Sequence, residues 1–352
     1  MPTSSAAVPV LKSFWLVLIL ALLQVSPLAQ TSLNDVHVTP RQASGATTLG
    51  SGVPTGGSYL HVIRNDVNLV LVPVSVTDPM QRLVTGLAPE NFQVFEGKKA
   101  QEIRHFSSED APVSVGIILD SSGSMGDKMD RVREAVDQFC QAANPQDEFF
   151  LITFANRPIL ASDFTSTPEN LQNALLYTQP RGRTALLDAV YLGIGNMHSA
   201  KYARKALLII SDGGDNHSRY SEKDIRSVVK ESDVMVYSIG IFDRSVPTRE
   251  EWLGPELLSS IAEPSGGRAF TIFKAGDLPA VAHRISTELR TQYVLGYRPK
   301  ESPRDGKWHK ISVKLRLPRK LSFLQPHAKK GYYAQHSEAI VLQERSDRAS
   351  DE

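Results

Sequence analysis

The spacing of hydrophobic residues changes along the chain. From Tyr59 the pattern is strand-like. Val70, Val72, Val74 and Val76 recur at every second position, and Asp78-Pro79 marks a turn. Phe92-Gln93-Val94-Phe95, then Glu96-Gly97-Lys98, then Glu102-Ile103-Arg104-His105-Phe106 reads as a β-hairpin. Segment 59–110 is all-β and too short for a comfortable core of its own.

Between 111 and 290 strand and helix patterns alternate. Val113–Leu119 is a continuous apolar run, as expected of a parallel strand buried on both faces. In 127–142, Met129, Val132, Val136, Phe139 and Cys140 fall at helical spacing, which makes Cys140 a core residue of that face. Further strands are expected at Phe149–Phe154, Ala206–Ser211, Val234–Phe242 and Arg268–Phe273. Helices are expected at Leu171–Leu176, Leu186–Met197, Glu222–Lys230, Glu256–Ile261 and Asp277–Arg290. This alternation implies an α/β domain with a doubly wound, mostly parallel sheet.

After Gln292 the pattern returns to β. Tyr293–Tyr297 is one strand. The run from Lys310 to Leu317 alternates strictly, and Gly331–Ala334 is a closing strand. Segments 59–110 and 291–334 are therefore expected to pair into a smaller β-sandwich, with the α/β domain inserted between them, because each alone would leave open edges. Residues 335–352 form a polar tail, and 30–58, rich in Thr, Ser, Gly and Pro, a flexible linker.

The first 29 residues have the layout of a secretory signal. One charge, Lys12, precedes the apolar run Phe14–Leu23; Gln24, Ser26 and Pro27 end the run, and Ala29 offers a small residue for cleavage. The run is shorter than the about 20 residues a membrane span needs. The expectation is therefore an extracellular or periplasmic protein with no stable membrane span after cleavage. The alternative is a retained anchor.

Composition narrows the function classes. The chain has 352 residues, 41% apolar and 22% charged, which excludes a wholly disordered, fibrous or polytopic membrane protein. Lys and Arg number 39 against 38 Asp and Glu, so no global charge points to nucleic acid. The single cysteine excludes an internal disulfide or a cysteine-rich zinc site.

The candidate chemistry sits at strand ends. Val113–Leu119 runs into Asp120-Ser121-Ser122-Gly123-Ser124, and the strand Leu207–Ser211 into Asp212-Gly213-Gly214-Asp215-Asn216. Gly182-Arg183-Thr184 precedes the helix between them. Ligands of open α/β sheets bind outside the carboxyl ends of the strands. Two carboxylates, Asp120 and Asp212, with the hydroxyls of Ser122, Ser124 and Thr184 form an all-oxygen set suited to a hard divalent cation, Mg2+ first and Mn2+ or Ca2+ otherwise. A cation so held, with one position open, would accept a carboxylate oxygen from an Asp or Glu of a protein partner.

Asp120-x-Ser122-x-Ser124, Thr184 and Ser211-Asp212-Gly213 resemble the metal-ion-dependent adhesion site of von Willebrand factor type A domains, over about 111–290. The resemblance implies that fold, a metal site of Asp120, Ser122, Ser124, Thr184 and Asp212, Asp212 acting through water, and a non-catalytic adhesion role. The signal segment and flanking β segments resemble bacterial secreted proteins of this kind. One departure is local: members often carry two glycines before the threonine, and here Arg183 stands there. Arg183 and Arg181 either attract an acidic partner or oppose cation binding. Asp215 and Asn216 are candidate partner-facing groups, against the plainer reading of a turn-rich loop.

The same residues admit other readings. A secreted metal-dependent hydrolase needs a base, and His198 and His217 are isolated in sequence; the Ser122 region lacks the first glycine of a nucleophile elbow. A structural scaffold of an envelope assembly is the third. Asn216-His217-Ser218 fits a glycosylation sequon. Residues 298–330 hold eleven Lys and Arg, which strand alternation assigns mostly to a solvated sheet face.

Overall fold

A computed structural model of the chain describes residues 69–212, 214–242, 249–301, 305–318 and 321–334. The expected signal, linker and tail, and residues 59–68 of the first β segment, lie outside the described residues.

Four strands come first: β1 (Val70–Thr77), β2 (Phe92–Glu96), β3 (Lys99–Gln101) and β4 (Ile103–Ser107). Then follow β5 (Ser114–Asp120), α1 (Met129–Gln141), β6 (Glu148–Phe154), β7 (Pro158–Thr165), α2 (Pro168–Leu176), α3 (Leu186–Asn196) and β8 (Lys205–Ser211). After these come α4 (Glu222–Glu231), β9 (Val234–Ile241), α5 (Arg249–Ala262), β10 (Ala269–Ile272) and α6 (Leu278–Arg290). The last strands are β11 (Tyr293–Tyr297), β12 (Trp308–Leu315), β13 (Gln325–Ala328) and β14 (Gly331–Tyr333).

The central sheet has the order β10-β9-β8-β5-β6-β7, parallel except for β7. Every residue of β5 is buried, because helices cover both faces. Met129, Val132, Val136 and Phe139 of α1, Leu171 of α2 and Ile285 of α6 fill one side. Leu186 and Val190 of α3, Ile225 of α4 and Ile261 of α5 fill the other. Cys140 is a free, buried thiol in the α1 face, and burial pushes its pKa up to about 12.

The flanking strands build two antiparallel sheets, β13-β1-β11-β4 and β14-β12-β2-β3. Each sheet combines strands from before and after the α/β domain: β1 pairs with β11, and β2 with β12. Val72, Val74, Val76, Phe92, Val94, Leu295, Tyr297 and Ile311 fill the core between them. The fold is thus a doubly wound α/β domain set into a smaller β-sandwich. Among the described residues no helix is long and apolar enough to cross a membrane.

Four local expectations are corrected. The hairpin partner of β2 is β3, with Glu96 opposite Lys99 across a tight turn at Gly97 (φ 58°). Residues 103–107 leave for the other sheet and pair with β11, which lets Phe106 meet Phe92 and Tyr293 across the core. The expected helix over 127–142 begins with a 3-10 turn, Gly123–Lys128, before α1. Helix α5 starts seven residues earlier than expected and carries Pro255 inside it. Strand β7 was not foreseen; it is an antiparallel edge with two register shifts and an exposed Ile159 and Leu160, so it lacks a clean period.

Candidate metal centre

The site grows from two adjacent parallel strands. β5 and β8 lie side by side, so their carboxyl ends, Asp120 and Ser211, emerge together. Asp120 has no exposed surface. Its carboxylate accepts the Ser122 backbone N–H at 2.8 Å on Oδ1 and the Ser211 hydroxyl at 2.5 Å on Oδ2. Burial pushes the Asp120 carboxyl up to about 6; hydrogen bonds from Ser122 and Ser211 oppose this, and the nearby Asp212 charge adds to it. A carboxylate in that position is short of positive charge.

The loop after β5 turns its hydroxyls inward. The Ser122 and Ser124 hydroxyl oxygens are 3.1 Å apart, and the Ser124 hydroxyl donates to Asp212 Oδ1 at 2.8 Å. Asp212, 1% exposed, follows β8 directly. Its other oxygen, Oδ2, is met at 2.5 Å by the Lys128 ammonium, which also donates to the Ser124 carbonyl at 2.9 Å. Ser122 is buried while Ser124 is exposed, so the cluster opens to solvent on the Ser124 side.

The third loop is fastened by its backbone. Arg181 N–H donates to the Ser121 carbonyl at 2.9 Å, and Gly123 N–H to the Gly182 carbonyl at 3.2 Å. Gly182 has φ 86°, a left-handed conformation that favours glycine, and a Cβ there would lie 2.8 Å from Asn156 Oδ1. That same oxygen accepts Arg183 N–H at 2.8 Å. Thr184, buried, donates its N–H to Asn216 Oδ1 at 2.9 Å, and its carbonyl accepts the N–H groups of Asn216 and His217.

The structure therefore brings Asp120, Ser122, Ser124 and Asp212 into one hydrogen-bonded run, and ties the Thr184 loop to both neighbouring loops. Asp215 and Asn216 turn toward backbone donors of this assembly: Asp215 accepts Leu187 N–H at 3.0 Å, at the start of α3, and Asn216 holds Thr184. Arg183 is exposed. Asp188, buried, accepts the N–H groups of Arg219 and Tyr220 and the Arg219 guanidinium, which fixes the far side of the same loop.

Sequence reasoning missed Lys128, Ser211, Asn156, Asn216's hold on Thr184 and Asp188's on the following loop. The Lys128 contact had a signal: it stands four residues after Ser124, the spacing that brings side chains onto the preceding turn. The others depend on which loops meet, which no local spacing encodes.

The donor set consists wholly of oxygens, with two buried carboxylates against a single ammonium, and this fits a hard cation. Among the described residues no group of three or more His, Cys, Asp or Glu could hold a metal.

Several solved structures resemble this chain at low identity. The conserved hypothetical protein BatB from Bacteroides thetaiotaomicron is 18% identical, with a TM-score of 0.41, covering 50% of this chain and 98% of that one. The PilB minor pilin from Streptococcus sanguinis is 16% identical, with a TM-score of 0.42, covering 53% and 63% respectively. A von Willebrand factor type A protein from Catenulispora acidiphila is 15% identical, with a TM-score of 0.45, covering 75% and 62% respectively. A family match covers the strand ends that carry Asp120 and Asp212: residues 115–214 of this chain match the model of the von Willebrand factor type A domain.

Proposed function

We propose that this chain is an exported protein-binding module whose type A domain holds a divalent cation between Asp120, Ser122, Ser124, Thr184 and Asp212 and offers it to an Asp or Glu carboxylate of a protein partner. Domains of this type are in general non-catalytic interaction modules. What supports the finer reading is the convergence of Ser122, Ser124 and Asp212 within hydrogen-bond distance at the mouth of two parallel strands. Mg2+ is the first expectation, with Mn2+ or Ca2+ as substitutes, because each takes oxygen ligands.

The division of labour follows from burial. Asp120, wholly enclosed, orders the loop by accepting Ser122 N–H and serves as the fixed negative charge beneath the site. Ser122 and Ser124 offer neutral oxygens, which leave the positive charge incompletely cancelled. Asp212 acts through water, keeping its hydrogen bond to Ser124 as the pivot. Thr184 enters from the loop that Asn216 holds. When bound, the cation supplies a Lewis-acidic position facing solvent, which favours an anionic oxygen from outside over a neutral one.

Export rests on the charge and apolar layout of residues 1–29. The balanced charge supports a protein partner rather than a nucleic acid.

The test is calorimetric titration of MgCl2 into wild type and Asp120→Ala, followed by affinity capture from an extracellular or periplasmic fraction with Mg2+ or with chelator. Binding by wild type alone, and partners lost under chelator, is the expected result. Equal Mg2+ binding by both proteins would defeat the assignment. Mg2+-dependent ester hydrolysis abolished by Asp212→Ala would favour a hydrolase. Partner capture unchanged by chelator would favour a scaffold.

A further inference from the structure

We infer that Lys128 is a built-in competitor for the cation site, a tethered ammonium that must leave Asp212 Oδ2 before a cation-bound water can take that position. This rests on the metal-binding reading above and adds a residue that sets the affinity of that site.

The geometry carries the inference. The Lys128 ammonium contacts Asp212 Oδ2 at 2.5 Å and the Ser124 carbonyl at 2.9 Å. The second contact lies on Ser124, on the side where the cluster opens to solvent. Asp212 is 1% exposed, whereas the Lys128 side chain is 22% exposed, so one partner is fixed and the other reaches in from the rim. Lys128 closes the 3-10 turn Gly123–Lys128, four residues after Ser124, and its stem reaches back to the Ser124 carbonyl. A lysine stem is flexible and its ammonium is strongly hydrated, so it withdraws into water more readily than a planar guanidinium would.

A structural ion pair alone does not account for the surroundings. An Asp–Lys pair needs no row of hydroxyls, yet Ser122 and Ser124 line up 3.1 Å apart beside it. Those hydroxyls are neutral oxygen donors of the kind a hard cation takes and an ammonium already satisfied by a carboxylate and a carbonyl does not require. The ammonium and a divalent ion therefore address the same carboxylate, and only one can neutralise it in full. Linkage makes the effect reciprocal: cation binding frees Lys128, and removing Lys128 strengthens cation binding.

The experiment is MgCl2 calorimetry on wild type, Lys128→Met and Lys128→Gln, paired with amine labelling of the wild type read residue by residue by mass spectrometry. Both variants are expected to bind Mg2+ about tenfold or more tightly than wild type, the affinity equivalent of one charge-assisted contact. In wild type, Mg2+ is expected to raise labelling of Lys128 several-fold while leaving exposed lysines such as Lys223 unchanged. Without Mg2+ the variants are expected to melt lower than wild type, and with it to recover. Equal or weaker Mg2+ binding by the variants, with Lys128 labelling unmoved, overturns the competitor role while leaving the metal site standing. No Mg2+ binding by any of the three overturns the metal reading and the inference together. If neither variant folds, labelling of the wild type decides alone.

Discussion

Arg268 and Glu288 form an ion pair at 2.9 Å, with side chains 9% and 0% exposed, where the α/β domain meets the sandwich. Tyr237 donates its hydroxyl to the other Glu288 oxygen at 3.1 Å, and Gln292 donates to Tyr237 at 3.2 Å. Burial holds the Tyr237 hydroxyl well above its ordinary pKa, so it remains a donor. Arg268 and Arg284 both donate to Gln81, in the loop after β1. The network thus joins β9, β10 and α6 to the sandwich through one carboxylate.

Removing that carboxylate leaves a buried guanidinium and a buried hydroxyl without their acceptor. Glu288→Ala is expected to lower stability by about 3–5 kcal/mol, the usual result of breaking a buried pair from one side. Glu288→Gln keeps an acceptor for Tyr237 and should lose less. Urea unfolding of the three proteins measures this directly. A loss under about 1 kcal/mol for the alanine variant would mean the pair is solvated in solution.

His327 gives the fold a pH dependence of its own. Its ring nitrogen lies 2.9 Å from the Thr77 hydroxyl, and burial lowers its pKa to about 4, helped by the Arg268 charge and opposed by Glu263. The folded state therefore binds a proton less readily than the unfolded chain, whose histidines titrate near 6.5. The contribution is fully present above about pH 6.5 and is lost as pH falls toward 4, by about 1–2 kcal/mol for a ring not wholly enclosed. Unfolding free energies at pH 7.5 and pH 5 should differ less in His327→Gln than in wild type. An identical difference in both proteins would remove His327 from the account.

What was legible in the sequence follows from periodicity. β5, β6, β8 and β9 are continuous apolar runs because both their faces are covered. Strand β7 is half exposed and irregular, so it left no period to read. The expected helix Glu256–Ile261 is the later part of α5, which carries Pro255 inside it and runs back to Arg249. The alternation of 92–106 announced strands without saying which sheet each joins, and β4 went to the other one. At the site, Asp120, Ser122, Ser124 and Asp212 stand at strand ends, where spacing is informative. The contacts of Lys128, Asn156 and Asn216 arise only when separate loops meet.

The loop that carries Thr184 depends on one glycine. Gly182 is left-handed, and Asn156 fills the space a side chain would take while holding Arg183 N–H. Gly182→Ala is expected to lose about 1–2 kcal/mol of stability from the backbone conformation. By moving Thr184 it should also weaken Mg2+ binding. Asn156→Ala should weaken Mg2+ binding without the backbone strain. Calorimetry and thermal melts on both variants separate the effects. Unaltered Mg2+ affinity in Gly182→Ala would place Thr184 outside the cation's coordination.

Arg183 stands beside Thr184 where it either draws in an acidic partner or repels the cation, and the geometry favours the first. Its backbone is fixed by Asn156, while the residue as a whole is exposed. An exposed guanidinium is surrounded by water of high dielectric, so it acts weakly on the buried carboxylates of the site. The same charge acts strongly on an approaching partner, whose encounter rate it raises at low salt. Arg183→Ala is therefore expected to change Mg2+ affinity by less than about twofold. It should slow association with a carboxylate-bearing partner several-fold at low salt, and much less at high salt. Calorimetry with MgCl2 and surface-capture association rates across a NaCl series provide both readings. A tenfold gain in Mg2+ affinity in the variant would instead make Arg183 a brake on the cation.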